Sequence, residues 1–262
     1  MTDLLELPNR TPKPRSTGLT HLLDRGLSVA GVDSLAEVAG EHVDIVKLGW
    51  GTALVTGNLE AKVSRYHEHG LPVVLGGTLT ELAIHQDRLD PLLQWTSRLG
   101  IEHVEVSDGT ITLAHDEKLE MIERLSRDFT VLSEVGSKDD TKIMAPYRWV
   151  ELIQAELEAG AWKVIAEARE SGTSGIYRHD GEVRMGLIDE IVHAVDADSL
   201  IFEAPRKDQQ VWFIRRLGAN VNLGNVAPDD VVSLETMRLG LRSDTALGGV
   251  GSGLQEEGVR GE

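Results

Sequence analysis

Cysteine is absent from this chain of 262 residues, which removes disulfides, thiolate-bound metals and cysteine nucleophiles from consideration. Basic residues are scarce: 26 Lys and Arg stand against 43 Asp and Glu, a formal charge of -17. Nucleic acid and anionic membranes both need a basic footprint, so neither is an expected partner. No apolar run approaches the roughly 20 residues that span a bilayer, and the N-terminus lacks the apolar core of a secretion signal, so the expected compartment is the cytoplasm. Also missing are Gly-x-Gly-x-x-Gly after an early strand and His-Glu-x-x-His, which weighs against dinucleotide binding and a zinc site of that type. Aromatic residues make up only 4% of the chain, and the five tryptophans are read as packing groups. The nine histidines form no cluster and read mostly as surface or helix residues, with His21 alone near a strand end.

What the chain does have is alternation. Apolar, strand-like runs at 44–48, 72–75, 103–106, 130–135, 163–168, 200–204 and 220–223 join a first run inside 18–26 to make eight. Between them lie segments with apolar residues at helical spacing, such as 89–99 and 149–157. Ser34-Leu-Ala-Glu37 and Thr78-Leu-Thr-Glu81 have capping-box spacing, and Gly40, Gly70, Gly100, Gly160 and Gly218 stand where helices are expected to end. Alternating β and α elements imply a parallel sheet covered by helices, and eight units in about 240 residues favour an α/β fold of the closed (β/α)8 TIM-barrel type. The expected organisation is an N-terminal arm over 1–15, which holds three prolines, a barrel over 16–245, and a flexible glycine-rich tail over 246–262.

In such a barrel the active site lies at the C-terminal ends of the strands. Side chains alternate across a strand, so Ile165, Glu167 and Arg169 share one face, as do Ile45 with Lys47 and Glu105 with Ser107. The strand ends thus deliver five acids, Asp24, Glu105, Glu134, Glu167 and Glu203, against Lys47, Lys138 and Arg169. If all five point inward, the excess negative charge is costly unless pKa values rise or a cation binds, and a hard divalent ion such as Mg2+ suits carboxylate oxygens. Small-residue loops at Gly76-Gly77-Thr78, Gly172 to Gly175 and Gly224-Asn225 offer backbone N–H groups to a phosphorylated or carboxylated substrate.

The strings Gly18-Leu-Thr-His-Leu-Leu-Asp-Arg-Gly26, Asp44-Ile-Val-Lys-Leu-Gly-Trp-Gly-Thr52, Gly76-Gly-Thr-Leu79, Val104-Glu-Val-Ser-Asp-Gly109, Ser133-Glu-Val-Gly-Ser-Lys138, Glu167-Ala-Arg-Glu-Ser-Gly172, Ile201-Phe-Glu-Ala-Pro205 and Asn222-Leu-Gly-Asn225 together resemble the phosphosulfolactate synthase family over residues 16–245. The resemblance extends to plant heat-stress-associated relatives. It implies a (β/α)8 barrel, a homo-oligomer, and Mg2+-dependent addition of sulfite to phosphoenolpyruvate, an early step of coenzyme M synthesis. On that reading Lys138, just past a strand end, is the expected general acid, with Lys47 and Glu134 beside it in the catalytic group. Glu105, Glu134 and Glu167 are the expected metal carboxylates. Asp24, Arg169, Ser107, Gly224 and Asn225 are the expected substrate contacts, Arg169 and the Gly224-Asn225 backbone being assigned to phosphate.

Overall fold

Eight short parallel strands close into a barrel in chain order, each pairing with the next and β8 returning to β1. They are β1 (Thr20–Asp24), β2 (Ile45–Leu48), β3 (Val73–Leu75), β4 (His103–Val106), β5 (Thr130–Val135), β6 (Lys163–Ala166), β7 (Leu200–Glu203) and β8 (Leu223–Val226). Around them run α1 (Val29–Ala39), α2 (Thr52–Val55), α3 (Leu59–Glu68), α4 (Gly77–His85), α5 (Leu89–Arg98), α6 (His115–Leu125), α7 (Pro146–Glu158), α8 (Met185–Ala194), α9 (Lys207–Leu217) and α10 (Val231–Arg238). This is a computed structural model in which the described residues are 4–136, 144–168 and 171–246. The TIM barrel is therefore as the alternation implies, and among the described residues no helix is long and apolar enough to cross a membrane.

Strand alternation sorts the core into two bodies. Leu19, Ile45, Val74, Leu132, Ile165 and Ile201 fill the barrel interior. The opposite strand faces, including Leu22, Val46, Val104, Val131, Val164 and Phe202, pack against the helices. Burying such side chains contributes about 1.5–3 kcal/mol each, which is why short strands suffice. The interior face also carries the buried His21 and the half-buried His103 and, toward the C-terminal ends, the layer of Lys47 and glutamates, set by the registers Leu23↔Lys47, Glu105↔Leu132 and Glu134↔Ile165.

Several strands are shorter than their apolar runs by one or two residues, and three further boundaries move for a visible reason. Strand β8 begins at Leu223 rather than Asn220, because the Asn222 side chain takes over ladder duty, accepting from Leu19 N and donating to Leu200 O. Helix α1 starts at Val29 with Ser28 as its cap, accepting from Gly31 N, while Ser34 turns its hydroxyl back to Ala30 O. Helix α4 starts at Gly77, so Thr78 and Glu81 form no capping box. Of the five helix-end glycines, Gly70, Gly100, Gly160 and Gly218 have positive φ, while Gly40 stays right-handed and opens a short 3-10 turn.

The N-terminal arm is not loose where it is described. Arg10 pairs with Glu235 at 2.9 Å and donates to Ala219 O and Gly18 O, while Arg15 pairs with Asp44. The arm thereby straps the N-terminal ends of β1 and β8. The expected tail lies outside the described residues beyond Ala246.

Candidate active site

A cavity of about 500 Å³ opens at the C-terminal ends of the strands. Its acids are Glu105, Glu134, Glu167 and Glu203, one at each end of β4 to β7, and its single cation among the described lining residues is Lys47 of β2. Lys47 Nζ lies 2.9 Å from Glu105 and 2.9 Å from Glu134, and 3.7 Å from Glu203. All are buried. Burial alone would discharge Lys47, but the three carboxylates hold its pKa well above the ordinary lysine value. The carboxylates bear the opposite cost. Burial and the neighbouring Glu134 push the Glu105 carboxyl up to about 8, and burial holds Glu203 well above the usual carboxylate range.

Local structure fixes this layer tightly. Gly77 N, the first N–H of α4, donates to Glu105 Oε1 at 2.5 Å, so the carboxylate caps a helix N-terminus. The approach needs glycine: a Cβ at Gly77 would lie 2.9 Å from Glu105 Oε1 and collide with Ser107 Oγ. Ser107 donates to Glu81 Oε1 of α4, and the other Glu81 oxygen accepts from Thr110 N and Ile111 N. The turn after β4 is therefore stapled to α4. Thr78, Thr110 and Ser171 add hydroxyls to the wall.

Strand β8 contributes through an irregularity. Its pairing with β1 advances three residues, Leu223 to Val226, while β1 advances two, Thr20 to Leu22. The extra residue accompanies Asn225 at φ 56°, which lines the cavity with its buried Oδ1 lacking a hydrogen-bond partner. Gly224 and Asn225 thus sit within the last strand rather than after it. Beneath this layer His21 is fully buried, its pKa lowered to about 3 by burial and by the charge of Lys47, so it is neutral.

Five expected site residues, Lys47, Glu105, Glu134, Glu167 and Asn225, meet in one cavity, joined by the strand-end acid Glu203. Ser107 is buried behind the lining, against Gly77 and donating to Glu81, and Gly224 faces the interior beside His21 and Ile201. Asp24 does not join them. It shares register with Leu48 on the outer strand face, fully buried, where it accepts from Tyr66 OH at 2.8 Å and from Gly26 N and Leu27 N and pairs with Lys62 at 2.6 Å. The error is one of parity: Leu23, one residue earlier, is the inward side chain. Lys138 and Arg169 lie outside the described residues.

A second tier was not foreseen. Lys118 of α6 donates to Glu134 O at 2.5 Å and pairs with Glu156 of α7 at 2.8 Å and with Asp108 at 3.2 Å, and Glu156 accepts from Ser133. These residues carried a signal. Lys118, Ile122 and Leu125 form one buried stripe of α6, Trp149, Ile153 and Glu156 one of α7, and Leu59, Lys62, Val63 and Tyr66 one of α3. A charge at a stripe position marks a buried partner. Trp50 also departs from its expected packing role, since it lines the cavity mouth.

The donor set fits a hard cation in kind, since four carboxylates face one ammonium and two of them are held above their ordinary pKa. Among the described residues no three acid or histidine side chains group closely enough to hold an ion by themselves, so bound water and substrate oxygens would complete the shell.

Residues 8–244 match the family model described as (2R)-phospho-3-sulfolactate synthase (ComA). The chain is 45% identical over 244 residues to a phosphosulfolactate synthase of Bacillus subtilis, covering 92% of this chain and 97% of that protein. It is 40% identical over 244 residues to one from Methanothermobacter thermautotrophicus, covering 91% and 95%. Among solved structures it resembles a 3-hexulose-6-phosphate synthase with a TM-score of 0.54 at 13% identity, covering 84% of this chain and 99% of that one, a likeness of fold alone.

Proposed function

The chain belongs to the (2R)-phospho-3-sulfolactate synthase family, and from that membership we propose that its cavity joins sulfite to phosphoenolpyruvate in a Mg2+-assisted addition. The match spanning residues 8–244, which takes in every strand, carries the reading.

The sulfur lone pair of sulfite forms a bond to C3 of phosphoenolpyruvate, the C2–C3 π pair moves to C2 and into the carboxylate, and a proton is then delivered to C2. The phosphate ester stays intact. Lys47, kept charged by its glutamates, supplies fixed positive charge toward an anionic reactant oxygen. Thr78 at the start of α4, Ser171 and Asn225 supply hydrogen-bonding groups around the substrate. Glu105, Glu134 and Glu167, with Glu203, would hold Mg2+ through carboxylate oxygens and water. When bound, the ion supplies positive charge against the charge that builds on the substrate carboxylate. Lys138 is assigned the proton delivered to C2, and Arg169 the phosphate, both as expectations of the family motifs.

The test is turnover of the purified protein with phosphoenolpyruvate and sulfite, with Mg2+ and with chelator, the product followed by mass spectrometry. The expected outcome is a metal-dependent adduct that retains its phosphate. A folded, metal-loaded sample that forms none would redirect the assignment to another phosphorylated small acid.

A further inference from the structure

Four non-glycine residues among those described have positive φ: Trp50 at 50°, Asn58 at 57°, Asp87 at 55° and Asn225 at 56°. Asn and Asp tolerate this region because their short side chains bond locally, whereas for a bulky residue it is a genuine outlier. Trp50 is the one bulky case. Such strain persists only where the surroundings over-determine it, and it gathers at working sites.

The surroundings here are specific. On one side of Trp50, Gly49 N donates to Asp24 O at 3.0 Å, and on the other Thr52 N donates to Gly49 O at 3.0 Å. Gly76 N donates to Leu48 O, and a Cβ on Gly76 would stand 2.8 Å from Trp50 N, so β3 closes against this turn only because Gly76 lacks one. The backbone is pinned, yet the indole is not used as core: it is 41% exposed and lines the cavity. Core packing does not repay the strain.

We propose that Trp50 is a substrate-positioning residue whose indole forms the apolar wall of the cavity against the methylene end of phosphoenolpyruvate, a role that rests on the reaction proposed above. The remaining apolar lining among the described residues is Leu23 in β1 and Ala168 two residues past β6, and no other lining residue among those described is aromatic. Phosphoenolpyruvate carries charge on its phosphate and carboxylate, and C3 is its one apolar corner and the carbon that sulfite attacks. A flat apolar surface at the mouth orients that corner, and it keeps water from the carbon while sulfite approaches.

The variants Trp50→Gly and Trp50→Phe separate this role from a structural one. Glycine adopts positive φ freely, so Trp50→Gly is expected to melt at or above the wild-type temperature while the KM for phosphoenolpyruvate rises about ten-fold and that for sulfite changes less than about two-fold. Trp50→Phe keeps a ring and is expected to fall between. Phosphoenolpyruvate alone is expected to quench tryptophan emission in the wild type and not in Trp50→Phe. An unchanged phosphoenolpyruvate KM in Trp50→Gly, or a clear loss of melting temperature there, overturns the proposal. If the wild type forms no sulfite adduct, the reaction assignment fails separately. The emission experiment then decides for Trp50: quenching that persists in Trp50→Phe sinks the proposal, and quenching that disappears supports it.

Discussion

At the scale of single residues the cavity is a problem of charge, and Glu105 shows how it is managed. Its carboxylate caps α4 and faces Lys47, both of which favour ionisation, but burial and Glu134 win and push the pKa to about 8. The folded protein therefore holds a proton that the unfolded chain has released across the window from about 4.5 to about 8. Raising the pH through that window favours unfolding, by up to about 1.4 kcal/mol per pH unit. Urea denaturation between pH 5 and 8 is expected to show wild-type stability falling with pH and Glu105→Gln falling less steeply; parallel curves would show that the proton resides elsewhere. Residue identity was legible here and direction less so. Asp24 reads as a strand-end acid like the others, but a shift of one in strand parity turns it outward to Lys62 and Tyr66.

At the scale of elements the lesson lies in helices that support the cavity from behind. Lys118 spends its three N–H donors on Glu134 O, Asp108 and Glu156, tying α6 to the end of β5, to the turn after β4 and to α7. Both members of the Lys118–Glu156 pair are buried, at 2% and 1% side-chain exposure, so removing Lys118 leaves the Glu156 carboxylate without its ammonium. Lys118→Met is expected to cost about 3–5 kcal/mol in urea denaturation, and the double variant Lys118→Met with Glu156→Met much less, because an apolar pair of similar volume fits such a site. Equal losses in the two proteins would argue that the bonds to Glu134 O and Asp108 dominate. The existence of α6 and α7 follows from sequence periodicity, whereas the partners of their buried charges depend on which helix the barrel sets beside which.

At the scale of the whole molecule, chemistry and closure occupy opposite ends of the barrel. The C-terminal end holds the glutamate layer, and the N-terminal end is strapped by the arm through Arg10 and sealed by the buried Arg238, which donates to Ala219 O, Val221 O and Leu19 O. Arg10→Ala leaves Glu235 without its guanidinium partner and is expected to cost about 1.5–3 kcal/mol, read as a lower melting temperature, with kcat per folded molecule unchanged. A fall in kcat without a fall in melting temperature would couple the two ends and contradict this division.

Sequence alone determined the barrel, because eight apolar runs alternating with helical stripes leave few ways to bury both. It also determined the family and the membership of the glutamate and lysine layer, since motifs at strand ends and a two-residue period carry that information locally. Three features were decided only by the tertiary structure. The outward turn of Asp24 depends on the register of β1 against β2. The left-handed backbone by which Asn225 reaches the wall from within β8 accompanies an extra residue that appears only when β8 pairs with β1. The strained Trp50 at the mouth depends on Gly76 closing against it. Each arises from contact between segments distant in the chain, and a local pattern of residue types holds no record of which distant backbone will lie against it.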